Sequence, residues 1–85
     1  MSKIVNTTQK HIDEGVQGSP CNCALALAVK DAYGLPRSSS EVSVNATTIA
    51  VKGKSVHTQP AQSRFVRDFD ASKAKVSPHK FVLDI

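Results

Sequence analysis

Two cysteines stand one residue apart in Gly18-Ser19-Pro20-Cys21-Asn22-Cys23, and six apolar residues, Ala24 to Val29, follow directly. Three chemistries compete for this stretch. The first is metal binding, with His11, His57 and His79 as further ligands. A structural zinc site shows two ligand pairs with two to four residues between cysteines. This chain has one pair with one residue between. On a helix, side chains at i and i+2 point about 200° apart, so no metal is expected. The second is a cysteine nucleophile, because a helix start favours the thiolate. No Cys–His family signature accompanies the pair. Cys23 as a small core residue and Cys21 as part of a cap account for them better, so no enzyme is expected. The i,i+2 spacing also makes a disulfide between them difficult.

The third chemistry fits best. The first turn of a helix presents unpaired N–H groups and the positive end of a dipole, and small residues in front of it admit an anion. Gly18, Ser19, Cys21, Asn22 and Cys23 are placed for that, although Pro20 removes one donor. Plain capping is the competing explanation, since every helix has such an end. The cations to complete a site lie in the second half: Lys52, Lys54, Arg64 and Arg67. The expected ligand-binding set is therefore Ser19, Cys21, Asn22, Cys23, Lys52, Lys54, Arg64 and Arg67, with no cofactor.

These residues need elements to hold them. Ser19 reads as an N-cap and Pro20 as a first helical residue. Alanine and leucine favour the helix, and Gly34 and Pro36 stop it. Its apolar character over most of its circumference predicts a central, buried position, with Lys30 and Asp31 as the polar exit. Lys3 to Val5 reads as an edge strand. A short helix, Gln9 to Glu14, follows Thr7 or Thr8 as cap, with Gly15 ending it in a left-handed conformation. Val42 and Val44 alternate with polar residues, and Thr47 to Val51 continues as a second strand. Lys52 to Lys54 is a turn, after which residues 55–58 extend the sheet by a few positions. Pro60 opens a helix in which Ala61, Phe65 and Phe69 recur every four residues beside Val66, a core stripe. Phe81, Leu83 and Ile85 alternate in a closing strand. The order β-α-α-β-β-α-β predicts one α+β domain spanning residues 1–85. A small, mainly antiparallel sheet would carry the central apolar helix and the C-terminal amphipathic helix on one face.

Composition narrows the class. The 85 residues are 40% hydrophobic, with no Trp, and carry a net charge of +4. Residues 1–50 hold four bases against four acids, so the whole excess lies in residues 51–85, with seven bases against Asp68, Asp70 and Asp84. Such asymmetry favours an anionic partner, although ordinary solubilising charge also explains it. No apolar core of a secretory signal is visible near the start, and no run approaches the roughly 18 residues of a membrane span. A cytoplasmic protein with free thiols is expected. A core this small makes self-association a common remedy, so a homo-oligomer is expected too.

Several motifs fall in a familiar order: Thr8-Gln9-Lys10-His11-Ile12, Gly15, Cys23-Ala24-Leu25-Ala26-Leu27, Phe65 to Asp70 and Phe81 to Ile85. In these the chain resembles a family of small uncharacterised proteins of tailed bacteriophages. That family usually has Pro directly after the Cys, where Ala24 stands here. The resemblance implies a phage accessory protein working in the host cytoplasm, with no settled reaction. Phage proteins of this size often block a host defence, by binding a defence protein or sequestering a nucleotide signal. The leading expectation is a non-enzymatic accessory binding protein, with counter-defence as its candidate role, that sequesters an anionic, nucleotide-like ligand. A module that inhibits a host protein is the second, and a small nucleic-acid-binding regulator the third.

Overall fold

The computed structural model describes residues 2–84. The elements run β1 (Ser2–Thr7), α1 (Gln9–Glu14), α2 (Ala24–Ala32), β2 (Val42–Val44), β3 (Thr48–Val51), β4 (Lys54–His57), α3 (Pro60–Ala71), a 3-10 turn (Lys73–Lys75) and β5 (His79–Asp84). This is a small α+β domain with three helices and antiparallel strands. The order is β-α-α-β-β-β-α-β, one strand more than the sequence implies. The extra strand is residues 54–57, expected only as a short extension. The strands also form two sheets rather than one. β1 pairs with β5, from Ser2↔Asp84 to Thr7↔His79, and β2, β3 and β4 form a meander.

α2 organises the rest. Every residue from Ala24 to Lys30 is buried. The helix touches α1, β1 and β2. An apolar stripe on one face needs one covering layer, but a helix apolar all round needs cover on several sides. Each of Leu25 and Leu27 contributes about 1.5–3 kcal/mol by leaving water. The C-terminal stop follows expectation: Gly34 is left-handed at φ 69°, and the Leu35 N–H donates to the Lys30 carbonyl at 2.8 Å. That 6→1 bond is the Schellman closure.

Three expectations change. The helix begins at Ala24 with Cys23 as N-cap, not at Ser19 and Pro20. Lys30, expected on the polar exit, is 0% exposed. Its ammonium donates to the Arg37 carbonyl at 2.8 Å and to Asn22 Oδ1 at 3.4 Å. It ties both flanking loops to the helix, and burial of a cation is tolerable only with such partners. Gly15 ends α1 in an extended conformation, φ −66° and ψ 151°, rather than a left-handed one. Its side-chain-free Cα is required by crowding instead. A Cβ there would lie 2.7 Å from the Ala24 nitrogen, 2.8 Å from Phe69 Cζ and 2.9 Å from the His11 carbonyl.

α3 starts at Pro60 after Gln59, as the sequence suggests. Phe65 and Phe69 are buried with centroids 6.4 Å apart, and the row continues through His79 to Phe81 at 5.9 and 5.7 Å. The β3–β4 hairpin turns at Lys52 and Gly53, both with positive φ, which matches the twist of paired strands.

Gly15→Ala should destabilise the fold by about 3 kcal/mol, because two of the three crowded atoms are backbone and cannot swing away. Gly53→Ala meets open space and should lose only about 1 kcal/mol, from its left-handed backbone. Urea unfolding of both variants checks this; equal losses would contradict the crowding at Gly15.

Candidate functional site

The segment expected to open α2 is a closed loop. The Val16 N–H donates to the Asn22 carbonyl at 2.7 Å, and the Cys23 N–H to the Ser19 carbonyl at 3.0 Å. The Pro20 carbonyl accepts from Val44 N–H on β2 at 2.8 Å. Gln17 Nε2 donates to the Phe69 carbonyl at 2.8 Å, and the Gly18 N–H donates to Asp70 Oδ1 at 2.9 Å. These bonds anchor residues 17–20 to β2 and α3, which holds them out of the helix. That is the physical reason α2 starts four residues later than its Ser-Pro signature implies.

The eight expected ligand residues do not converge. Ser19, Cys23 and Arg67 do line one cleft of about 140 Å3, together with Asp70 and the β2 end. Asp70 already takes the loop's Gly18 N–H, so an anion entering this cleft would meet a carboxylate. Cys21 and Asn22 lie outside its lining, and Asn22 serves Lys30. Lys52 lies in the β3–β4 turn and Lys54 opens β4, both at the opposite end of β3 from Asn45 and Ala46. Arg64 lies in a separate shallow cleft with Asp68, Lys75 and His79.

Cys23 is buried, and burial pushes its thiol upward. The Leu25 and Ala26 N–H groups counter this in part, and the Asp70 charge adds to it. The thiol is therefore protonated at neutral pH, which suits a core residue rather than a nucleophile. Among the described residues, no three His, Cys, Asp or Glu side chains come together as a metal set.

His11 has the look of a catalytic histidine but is used by the fold. Its Nδ1 accepts from the Thr8 N–H at 2.9 Å, so Nε2 carries the proton and donates to Asp31 Oδ2 at 2.5 Å. Arg37 continues the chain to Asp31 at 3.4 Å and to Glu14 at 2.8 Å. Both ring nitrogens are occupied, which leaves no base. Burial raises the Asp31 carboxyl, but the His11 hydrogen bond and the Arg37 charge outweigh it and hold the group below its ordinary range. The cluster rivets α1 to the end of α2 and the following loop.

A concavity larger than the loop cleft lies elsewhere. A cleft of about 270 Å3 separates the two sheets. Its apolar lining is Ile49, Val56, Phe81 and Leu83. Four consecutive residues of β5, Phe81 to Asp84, contribute, as do Val56 and His57 of β4. Alternate side chains of a strand point to opposite faces, so consecutive residues line one cleft only along a strand's edge. Gln62 of α3 also lines it; this residue is 5% exposed and its Oε1 has no hydrogen-bond partner. None of the cleft's residues belongs to the expected set. The available signs in the sequence were Val56 alternating between Ser55 and His57, and an apolar Val82 on the polar side of the last strand.

No family model matches the chain, and neither the curated proteins nor the solved structures compared with it contain a match.

Iodoacetamide should alkylate the half-buried Cys21 in the native protein and reach Cys23 only on unfolding, which peptide mass spectrometry reads directly. Equal native labelling would contradict the buried cap. Because Asp31 is depressed in the folded state, its stabilising effect is fully present above the unfolded carboxyl value of about 4. It is lost as pH falls through the lower folded value. Asp31→Asn should therefore remove at most about 1 kcal/mol at pH 7, the group being half exposed, and flatten the acid limb of a stability–pH curve.

Proposed function

We propose that this chain is a non-enzymatic binding module that captures a partner protein through the cleft between its two sheets. The single observation carrying this reading is that cleft: an apolar lining between two strand edges. Its composition, apolar with a few polar groups at the margin, is that of recognition sites generally. The resemblance to small bacteriophage accessory proteins makes a host protein the natural class of partner.

Sequestration of a nucleotide-like anion is the weaker reading. Ser19, Cys23 and Arg67 support it by sharing a cleft, but Asp70 stands among them and Lys52, Lys54 and Arg64 are elsewhere. Nucleic-acid binding has no concentrated basic surface behind it, since these cations are dispersed over the β3–β4 turn and α3.

Amide chemical shifts of the 15N-labelled protein test the choice. Unstructured peptides with alternating apolar residues should perturb residues 55–57 and 81–84, and Val56→Arg should remove the response while its melting temperature stays close to that of the parent. Linear and cyclic nucleotides at millimolar concentration should leave Gly18 to Cys23 and Arg67 unmoved. A nucleotide response confined to that loop would overturn the proposal and restore the anion reading.

A further inference from the structure

Resting on the proposal that the inter-sheet cleft is the working surface, the geometry points to its occupant: an extended segment of a partner protein, held by main-chain hydrogen bonds as an added strand. The backbone argument comes first. The Thr58 N–H donates to the Thr47 carbonyl at 3.0 Å, and Thr48↔His57 and Ile49↔Val56 are successive partners. Hydrogen-bonded and non-hydrogen-bonded pairs alternate along an antiparallel ladder. Val56 therefore bonds to Ile49, while the N–H and C=O groups of Ser55 and His57 point away from β3. Among the described residues β4 pairs with β3 alone and β5 with β1 alone. Each strand thus presents an unpaired edge, and residues of both edges line the same cleft. Unpaired edges are templates for another strand.

The second argument is independent of the edges. Gln62 is almost wholly buried, and its Nε2 faces His79 Nε2 at 2.9 Å. Its Oε1 has no partner, which is costly for a buried acceptor. Exchanging the two ends of the amide does not remove the defect; it only moves it to the nitrogen. A peptide main chain carries both a donor and an acceptor, and so satisfies either end. An aliphatic or lipid-like occupant would fill the apolar lining and leave this amide unsatisfied.

Side chains then set the pattern. Alternate residues of an added strand face Ile49, Val56, Phe81 and Leu83, and should be apolar. On the outward face the occupant would lie beside Val82, which is 61% exposed across from Ile4 at 62%. Lys54 on β4 and Lys80 on β5 are exposed, which favours acidic residues near the segment's ends. This is strand addition: main-chain bonds supply affinity and alternate pockets supply selectivity.

The probe is a set of twelve-residue peptides selected from a random display library against the intact protein. The selected sequences should alternate apolar and polar residues. N-methylation of alternate amides should weaken binding by about tenfold or more, each removing a donor, while methylation of the intervening amides is tolerated. Val56→Arg should abolish binding, and Gln62→Met should weaken it. If Val56→Arg abolishes binding but every amide tolerates methylation, the occupant is held by side chains alone. The strand inference then falls while the proposed function stands. If Val56→Arg binds the peptides unchanged, or no peptide binds, both fall.

Discussion

The whole domain follows from one constraint: a nine-residue helix with almost no polar face must be covered on several sides by a chain of 85 residues. A single small sheet covers one side of a helix. Here the strands are divided, with the chain's two ends joined as β1 and β5 and the middle folded as the β2–β3–β4 meander. α1 and α3 complete the enclosure. Splitting the strands wraps the helix, but it leaves four strand edges and a gap where two of them face a common cleft. The candidate binding surface is thus a by-product of how this core is closed.

Polar groups serve that closure more than they serve chemistry. Lys30 extends from the buried helix to hold the Arg37 carbonyl and Asn22. His11 and Asp31 fasten α1 to the helix end, and Asp70 fastens the loop before α2 to α3. Each is a titratable side chain of the kind that suggests an active site, and each has its hydrogen-bonding capacity directed to backbone or to a neighbouring element. Gln62 differs. It is buried with one end of its amide unanswered, and it stands at the cleft. Thr7 Oγ1 and Tyr33 OH are also buried without a partner among the described residues, but of the three only Gln62 lines the cleft, where an outside partner can answer it.

The loop from Val16 to Cys23 shows why a helix entrance is a poor guide to ligand binding. Its N–H groups are real donors, but the fold supplies the acceptors: a carboxylate from α3 and carbonyls from within the loop. An anion would have to displace Asp70 to reach Gly18. The inter-sheet cleft needs no such displacement, because among the described residues no strand lies beside its edges.

Sequence alone determined the identity and direction of the main elements. Periodicity placed Val42, Val44, Phe65, Phe69, Phe81 and Leu83 inside, and Gly34 and Pro60 marked helix ends, because these are local properties of backbone and side-chain spacing. Tertiary structure decided the rest. The start of α2 moved to Ala24 because α3 and β2 take up the Gly18 N–H and the Pro20 carbonyl. Lys30 went inside because the loops on both sides bring it oxygen partners. Gly15 is demanded by Ala24 and Phe69 rather than by its own torsions. The division into two sheets, and hence the cleft, arises from pairings between residues up to 82 positions apart, such as Ser2 with Asp84. No local pattern encodes which edges are left unpaired, since that is a property of the assembled sheets.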